Sequence, residues 1–130
     1  MDVHEQDLAT VQQLIDRHFE IWNDTDPARR ALRHAALYTQ DVFLADYAGS
    51  ARGHAQLDAK IAGLQQRFAG FRFRPAPAAW NHGIGRVTWR YGPDEDPGRV
   101  RGEDIFTIED GKLASLRVFI DNPQPQRTTA

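Results

Sequence analysis

The hydrophobic period of this chain changes once, near residue 70, and nothing else in the sequence constrains the fold as strongly. Before that point, one short strand apart, apolar residues recur at helical spacing, and after it they alternate every second residue. The first helix is expected over about residues 4–23. Leu8, Val11, Leu14, Ile15, Phe19, Ile21 and Trp22 share one arc of it, while Gln12, Gln13, Asp16, Arg17, Glu20 and Asn23 fill the rest. His18 falls in the middle of the apolar arc. In "NDTDPARRALRHAALY" a second helix starts with Thr25 or Asp26 as cap and Pro27 in the first turn. Its apolar face is small, made by Ala28, Ala31, Leu32 and Ala35, and His34 projects with the arginines toward solvent. "DVFLADYAGSARG" reads as a short strand and a glycine-containing turn. "HAQLDAKIAGLQQRF" is a third helix with Leu57, Ile61, Leu64 and Phe68 in a stripe.

Strands follow. "FRFR" alternates, and "AAWNHGIGRVTWRYG" provides one interrupted strand or two shorter ones. "PDEDPG" is a polar hairpin loop without the spacing of a calcium loop. In the strand after it, Val100, Gly102, Asp104, Phe106 and Ile108 share one face. Asp110-Gly111 marks a tight turn, and "KLASLRVFID" ends near Asp121. Three helices and then a meander of strands predict an α+β domain. Three N-terminal helices pack on a strongly curved, mainly antiparallel sheet, forming a cone with an internal cavity. Gly83, Gly85 and Gly102 are expected to mark bulges that bend the sheet. The domain takes residues 1–121, and residues 122–130, "NPQPQRTTA", form a loose tail.

Composition narrows the function. The charge is −2, with acids mixed among the arginines, which argues against nucleic acid as a partner. No apolar run is long enough to span a bilayer, no signal peptide is visible, and there is no cysteine. The expectation is a cytoplasmic protein with no disulfide or thiol chemistry, in which the glycosylation match at Asn23 carries no meaning.

The polar residues placed among apolar ones are the candidates for chemistry. Asp104 lies between a glycine and a phenylalanine on the apolar face of its strand. Burial penalises a charged carboxylate, so an acid held there tends to keep its proton and can donate a hydrogen bond. Asp46, nearer solvent beside a turn, stays ionised and can accept a proton. Two acids with separated proton affinities supply an acid and a base. The plainer readings are a structural Asp104 satisfied by an N–H or an arginine, an Asp46 that caps the "YAGSARG" turn, and a core His18 with one partner. Trp22, Tyr38, Phe43, His82, Trp89 and Phe106 are candidates to line an apolar pocket or to pack the core. His82 and His18 with the two aspartates lack close ligand spacing, so no metal is assigned.

The order of elements, with "YTQDVFLADYAGSARGHAQL" and "RGEDIFTIEDGKLASLRVFID", resembles the nuclear transport factor 2-like superfamily. That superfamily includes ketosteroid isomerases, limonene epoxide hydrolases and SnoaL-like polyketide cyclases. Set beside ketosteroid isomerase, itself a standard example of tuned carboxyl groups, Asp46 falls at the general-base position and Asp104 at the protonated acid of the oxyanion hole. His18 stands where that family has a tyrosine. Against the epoxide hydrolases, Arg86 matches the arginine, but Thr88 and Val118 replace the two aspartates. The resemblance implies a cofactor-independent isomerase or cyclase acting on a small apolar carbonyl compound, or a non-catalytic ligand-binding or interaction domain of the same fold. It also implies a homodimer formed through the outer face of the sheet.

Overall fold

A computed structural model describes residues 7–121. Three helices, α1 (Leu8–Asn23), α2 (Pro27–Leu37) and α3 (Gly53–Arg67), pack on a curved seven-stranded sheet that does not close. Its strands are β1 (Tyr38–Asp46), β2 (Gly49–Arg52), β3 (Arg72–Pro75), β4 (Ala79–Asn81), β5 (Ile84–Gly92), β6 (Val100–Glu109) and β7 (Lys112–Ile120). The order is β2-β1-β7-β6-β5-β3, with β4 also on β5. Every pairing is antiparallel except β1 with β7, which makes the sheet mixed. The expected start of the first helix and the expected tail both reach beyond the described residues.

The period-based expectations for α1 and α3 agree with the buried residues. Helix α1 starts at the Asp7 cap and buries Val11, Leu14, Ile15, His18, Phe19, Ile21 and Trp22, leaving Leu8 exposed. Asn23, at the end of α1, uses both atoms of its side-chain amide on β3. It donates to the Phe73 carbonyl (3.0 Å) and accepts from the Phe73 N–H (2.7 Å). In α3, Leu57 and Ile61 are core, while Leu64, and Phe68 just past the helix end, pack at its margin.

Helix α2 corrects the sequence reading. The alanine face with Leu32 is exposed, and the buried residues are Arg30, His34 and Leu37. Burying a guanidinium is tolerable only when its donors are met. Here Arg30 Nε and Nη2 donate to the two oxygens of Asp58 (2.8 and 3.3 Å), and Nη1 donates to the Asp24 carbonyl and to Gln65. His34 Nε2 lies 2.9 Å from Asp58 Oδ1, so one α3 carboxylate anchors two α2 side chains.

The glycines also depart from expectation. Gly83 sits with His82 in the turn between β4 and β5, both at positive φ. Gly85 and Gly102 are not bulges: each pairs across the ladder with an aromatic residue, Gly85 with Phe106 and Gly102 with Trp89. The ring of that partner fills the space a Cβ would need. The register shifts that bend the sheet lie between Tyr38 and Phe43 on β1 and between Thr107 and Ile108 on β6.

Candidate functional site

A pocket of about 900 Å³ opens between the inner face of the sheet and helices α1 and α3. Its walls include Phe19, Trp22, Phe68, Phe73, Trp89 and Tyr91, and its polar members include His18, Asp46 and Asp104. The three residues singled out for chemistry therefore border one pocket. Trp22 and Trp89 of the expected lining join them. Tyr38 lies behind His18, and Phe106 is fully buried over Gly85. Two candidates lie elsewhere. Phe43 faces the opposite side of the sheet, between the guanidinium groups of Arg52 and Arg117 (4.9 and 5.1 Å from its ring), and His82 is exposed in its turn beside Asn81. The alternation of β1 explains Phe43: Val42 and Leu44 point inward with Asp46, so Phe43 must point outward.

Register explains how the two aspartates come to share the inner face. Ala45 pairs with Arg117 of β7, and Arg117 pairs with Ile105 of β6. One residue further along, Asp46, Val118 and Asp104 form a row on the inner face, with Val118 between the acids. Two strand spacings separate their backbones by about 10 Å.

Asp104 is 4% exposed and sits in a chain of polar groups. Its Oδ1 accepts the Trp89 indole N–H at 2.9 Å, and its Oδ2 lies 3.7 Å from His18 Nε2. His18 Nδ1 is 2.7 Å from the buried Tyr38 hydroxyl. Burial pushes the Tyr38 hydroxyl well above the usual phenol range. The nearby Trp22 indole N–H offsets part of this, and the charge on Asp104 adds to it. The phenol therefore keeps its proton, and among the described residues the acceptor within reach is His18 Nδ1. A neutral His18 then carries its own hydrogen on Nε2, facing Asp104. In that arrangement the Trp89 and His18 N–H groups both point at Asp104 oxygens. The 3.7 Å gap is too long for a direct hydrogen bond, which leaves His18 N–H and one Asp104 oxygen available to a guest.

Gly102 makes this geometry possible. With no Cβ opposite it, the Trp89 ring lies across β6 and its N–H reaches Asp104 two residues along. A methyl group there would meet the Trp89 ring at 2.5 Å and the Phe119 carbonyl at 2.6 Å. Gly102→Ala should cost about 1–3 kcal/mol through overpacking. Urea unfolding will measure that cost, and tryptophan emission will report the displaced indole.

Asp46 is held differently. Its Oδ1 accepts the N–H groups of Ala48 and Gly49 (2.9 and 3.1 Å), and Lys60 Nζ lies 3.0 Å from both oxygens. The turn-capping reading of Asp46 is therefore present in the structure, together with an ion pair the sequence reading missed. Lys60 flanks the Leu57–Ile61–Leu64 stripe of α3, a position from which a long side chain can reach the pocket margin. The arginines of the pocket wall, Arg67, Arg99 and Arg101, were also missed, because alternation and helical period mark apolar faces and not the ends of elements. Tyr91, which lines the same wall, is pushed up to about 12 by burial and stays protonated at neutral pH. Among the described residues no group of three or more His, Asp or Glu side chains stands ready to hold a metal ion.

A profile of the SnoaL-like domain matches residues 15–116. No protein of curated function is matched by the sequence itself. Among solved structures, a candidate isomerase of the SnoaL-like family from Agrobacterium tumefaciens superposes with a TM-score of 0.81, at 20% identity over 87% of this chain and 98% of that one. A candidate SnoaL-like polyketide cyclase from Jannaschia gives 0.70 at 21% identity, covering 93% and 90%. A candidate ketosteroid isomerase from Kribbella flavida gives 0.63 at 17% identity, covering 86% and 78%. At such identities the likeness shows a shared fold, not a shared reaction. Since the family profile spans most of its length and the architecture agrees, the chain belongs to the SnoaL-like family, within the nuclear transport factor 2-like superfamily.

Proposed function

We propose that this protein is an acid–base enzyme of the isomerase or cyclase type, acting without a dissociable cofactor on a small apolar carbonyl compound. The observation that carries this reading is the buried Asp104 facing His18 Nε2 across 3.7 Å in an aromatic pocket. In this scheme Asp104 removes a proton from the carbon beside the carbonyl. His18 N–H, backed by the Tyr38 hydroxyl, donates to the oxygen that gains charge. The proton then returns to another carbon, or the enolate attacks a second carbonyl. Base and oxyanion donor side by side suit adjacent atoms of one carbonyl compound. Asp46 is the weaker candidate for base, since Lys60 and two amides already engage its carboxylate.

The test is hydrogen–deuterium exchange at the methyl group of 2-acetylnaphthalene in D₂O, followed by proton NMR. Exchange above the buffer rate is the expected result, and its absence over a panel of aryl ketones of similar size would remove the reading. Asp46→Asn is expected to lower the rate less than tenfold, whereas loss as large as that from Asp104→Asn would restore Asp46 as the base.

A non-catalytic binding domain is the second reading, favoured by the apolar character of most of the pocket wall; ligand binding without exchange would support it. We also propose a homodimer through the outer sheet face, where Phe119 and Ile84 are about half exposed. Light scattering should then give twice 14.7 kDa.

A further inference from the structure

The pocket is chemically two-ended, and the proposed reaction uses only one end. Asp104, His18 and Trp89 occupy the first. Along β6 the inward positions run from Asp104 through Gly102 to Val100, a span of four residues or about 13 Å. At that far end Val100 pairs with Tyr91, and aromatic rings continue outward: Tyr91 lies 5.2 Å from Phe71 and 6.2 Å from Phe68, and Phe68 lies 5.2 Å from Phe71. Each outer ring carries a guanidinium. Arg67, on the last turn of α3, stands 5.2 Å from the Phe68 ring centre, and Arg99 stands 5.5 Å from that of Phe71. Both arginines border the pocket.

Their ion pairing is incomplete. Arg99 Nε bonds Asp96 at 3.0 Å, but Arg67 has no acidic partner within 4.0 Å among the described residues. A basic residue in the last turn favours the helix dipole wherever it points. That does not account for a guanidinium on the pocket's own aromatic wall, joined through two rings to a second one. Arg101 and Asp121 also border the pocket and offset each other in charge, and Arg99 is paired with Asp96, so a singly charged group fits better than a dianion.

We infer that the natural ligand carries an anionic group, a carboxylate by charge, about 10–13 Å from its reacting carbonyl, and that Arg67 with Arg99 receives it. The ligand is then an elongated aromatic or polycyclic keto acid and not a neutral ketone. This rests on the proposed reaction only for the carbonyl end; the anion preference stands on the arginines.

The test compares 4′-acetylbiphenyl-4-carboxylic acid, whose ketone and carboxylate are separated by the length of two phenyl rings, with its methyl ester, which shares the ketone and ring system but lacks the charge. Calorimetry should show the acid bound at least tenfold more tightly. The preference should fall toward unity in Arg67→Gln and in the Arg67→Gln/Arg99→Gln pair, both on the exposed rim, and it should weaken with added salt. Asp104→Asn should leave it intact. Equal binding of acid and ester, a preference unchanged in the arginine variants, or no binding of either at millimolar concentration would overturn the inference. Methyl-group exchange is read in the same samples. Exchange with no acid preference leaves the acid–base reading standing alone, and preference without exchange leaves the anion site standing alone.

Discussion

Asp104→Asn is expected to reduce α-proton exchange by about 10²–10⁴-fold while the protein stays folded. The amide oxygen can still accept the Trp89 N–H, so the indole and the pocket wall keep their places. What is lost is the oxygen facing His18 across the gap, the one atom there that can take a proton from carbon. Steady-state rates with circular dichroism and a thermal melt will check it. A variant that melts like the parent yet exchanges normally would show that Asp104 is structural. Because substitution removes a proton acceptor and little packing, the effect should fall on kcat and leave binding nearly unchanged.

The second large effect concerns stability. Asp58→Ala should cost about 3–5 kcal/mol, because it strands the buried Arg30 guanidinium and removes the partner of His34. In a domain of this size that corresponds to a fall in Tm of about 10 °C or more. Arg30→Met together with Asp58→Leu should recover part of the loss, since no unpaired charge is then buried. The same carboxylate gives a pH signature. Arg30, and secondarily His34, hold Asp58 below the usual carboxylate range, and Arg29 lowers Asp24 to about 2. Both acids therefore bind protons more weakly folded than unfolded. Their contribution is complete above the unfolded value near 4 and drains away as pH falls toward about 2. Thermal melts between pH 5 and 2 should show this decline, less steeply in Asp58→Ala.

The legible parts of the fold were those written in period and turn chemistry. Asp110-Gly111 joins β6 to β7 as its type of dipeptide should, with both residues at positive φ. The α1 arc and the α3 stripe were readable because large apolar side chains dominate them. Helix α2 was not, for a physical reason. Alanines remove little surface from water, so that face has weak claim on the core, and a fully paired arginine displaced it. That pairing spans 28 positions between Arg30 and Asp58, which local periodicity cannot reach. The site was partly legible: acids on apolar faces identified Asp104 and Asp46 as unusual, and alternation could also have excluded Phe43. Hidden from it were the Trp89 bond made possible by Gly102, the Lys60 pair and the arginine rim, all of which depend on contacts between elements.

The single parallel pairing in the sheet sets when this pocket can exist during synthesis. Strand β1 is made early, yet apart from its hairpin partner β2 its neighbour is β7, the last strand described. Val118 and Ile120, which wall the pocket, are among the final residues of that strand. A ribosome-bound chain stalled before them can form its helices and the β5–β6 hairpin, but Asp46 and Asp104 cannot yet be brought onto one sheet face. Ligand capture by nascent chains of graded length should therefore begin abruptly, only once β7 has left the exit tunnel.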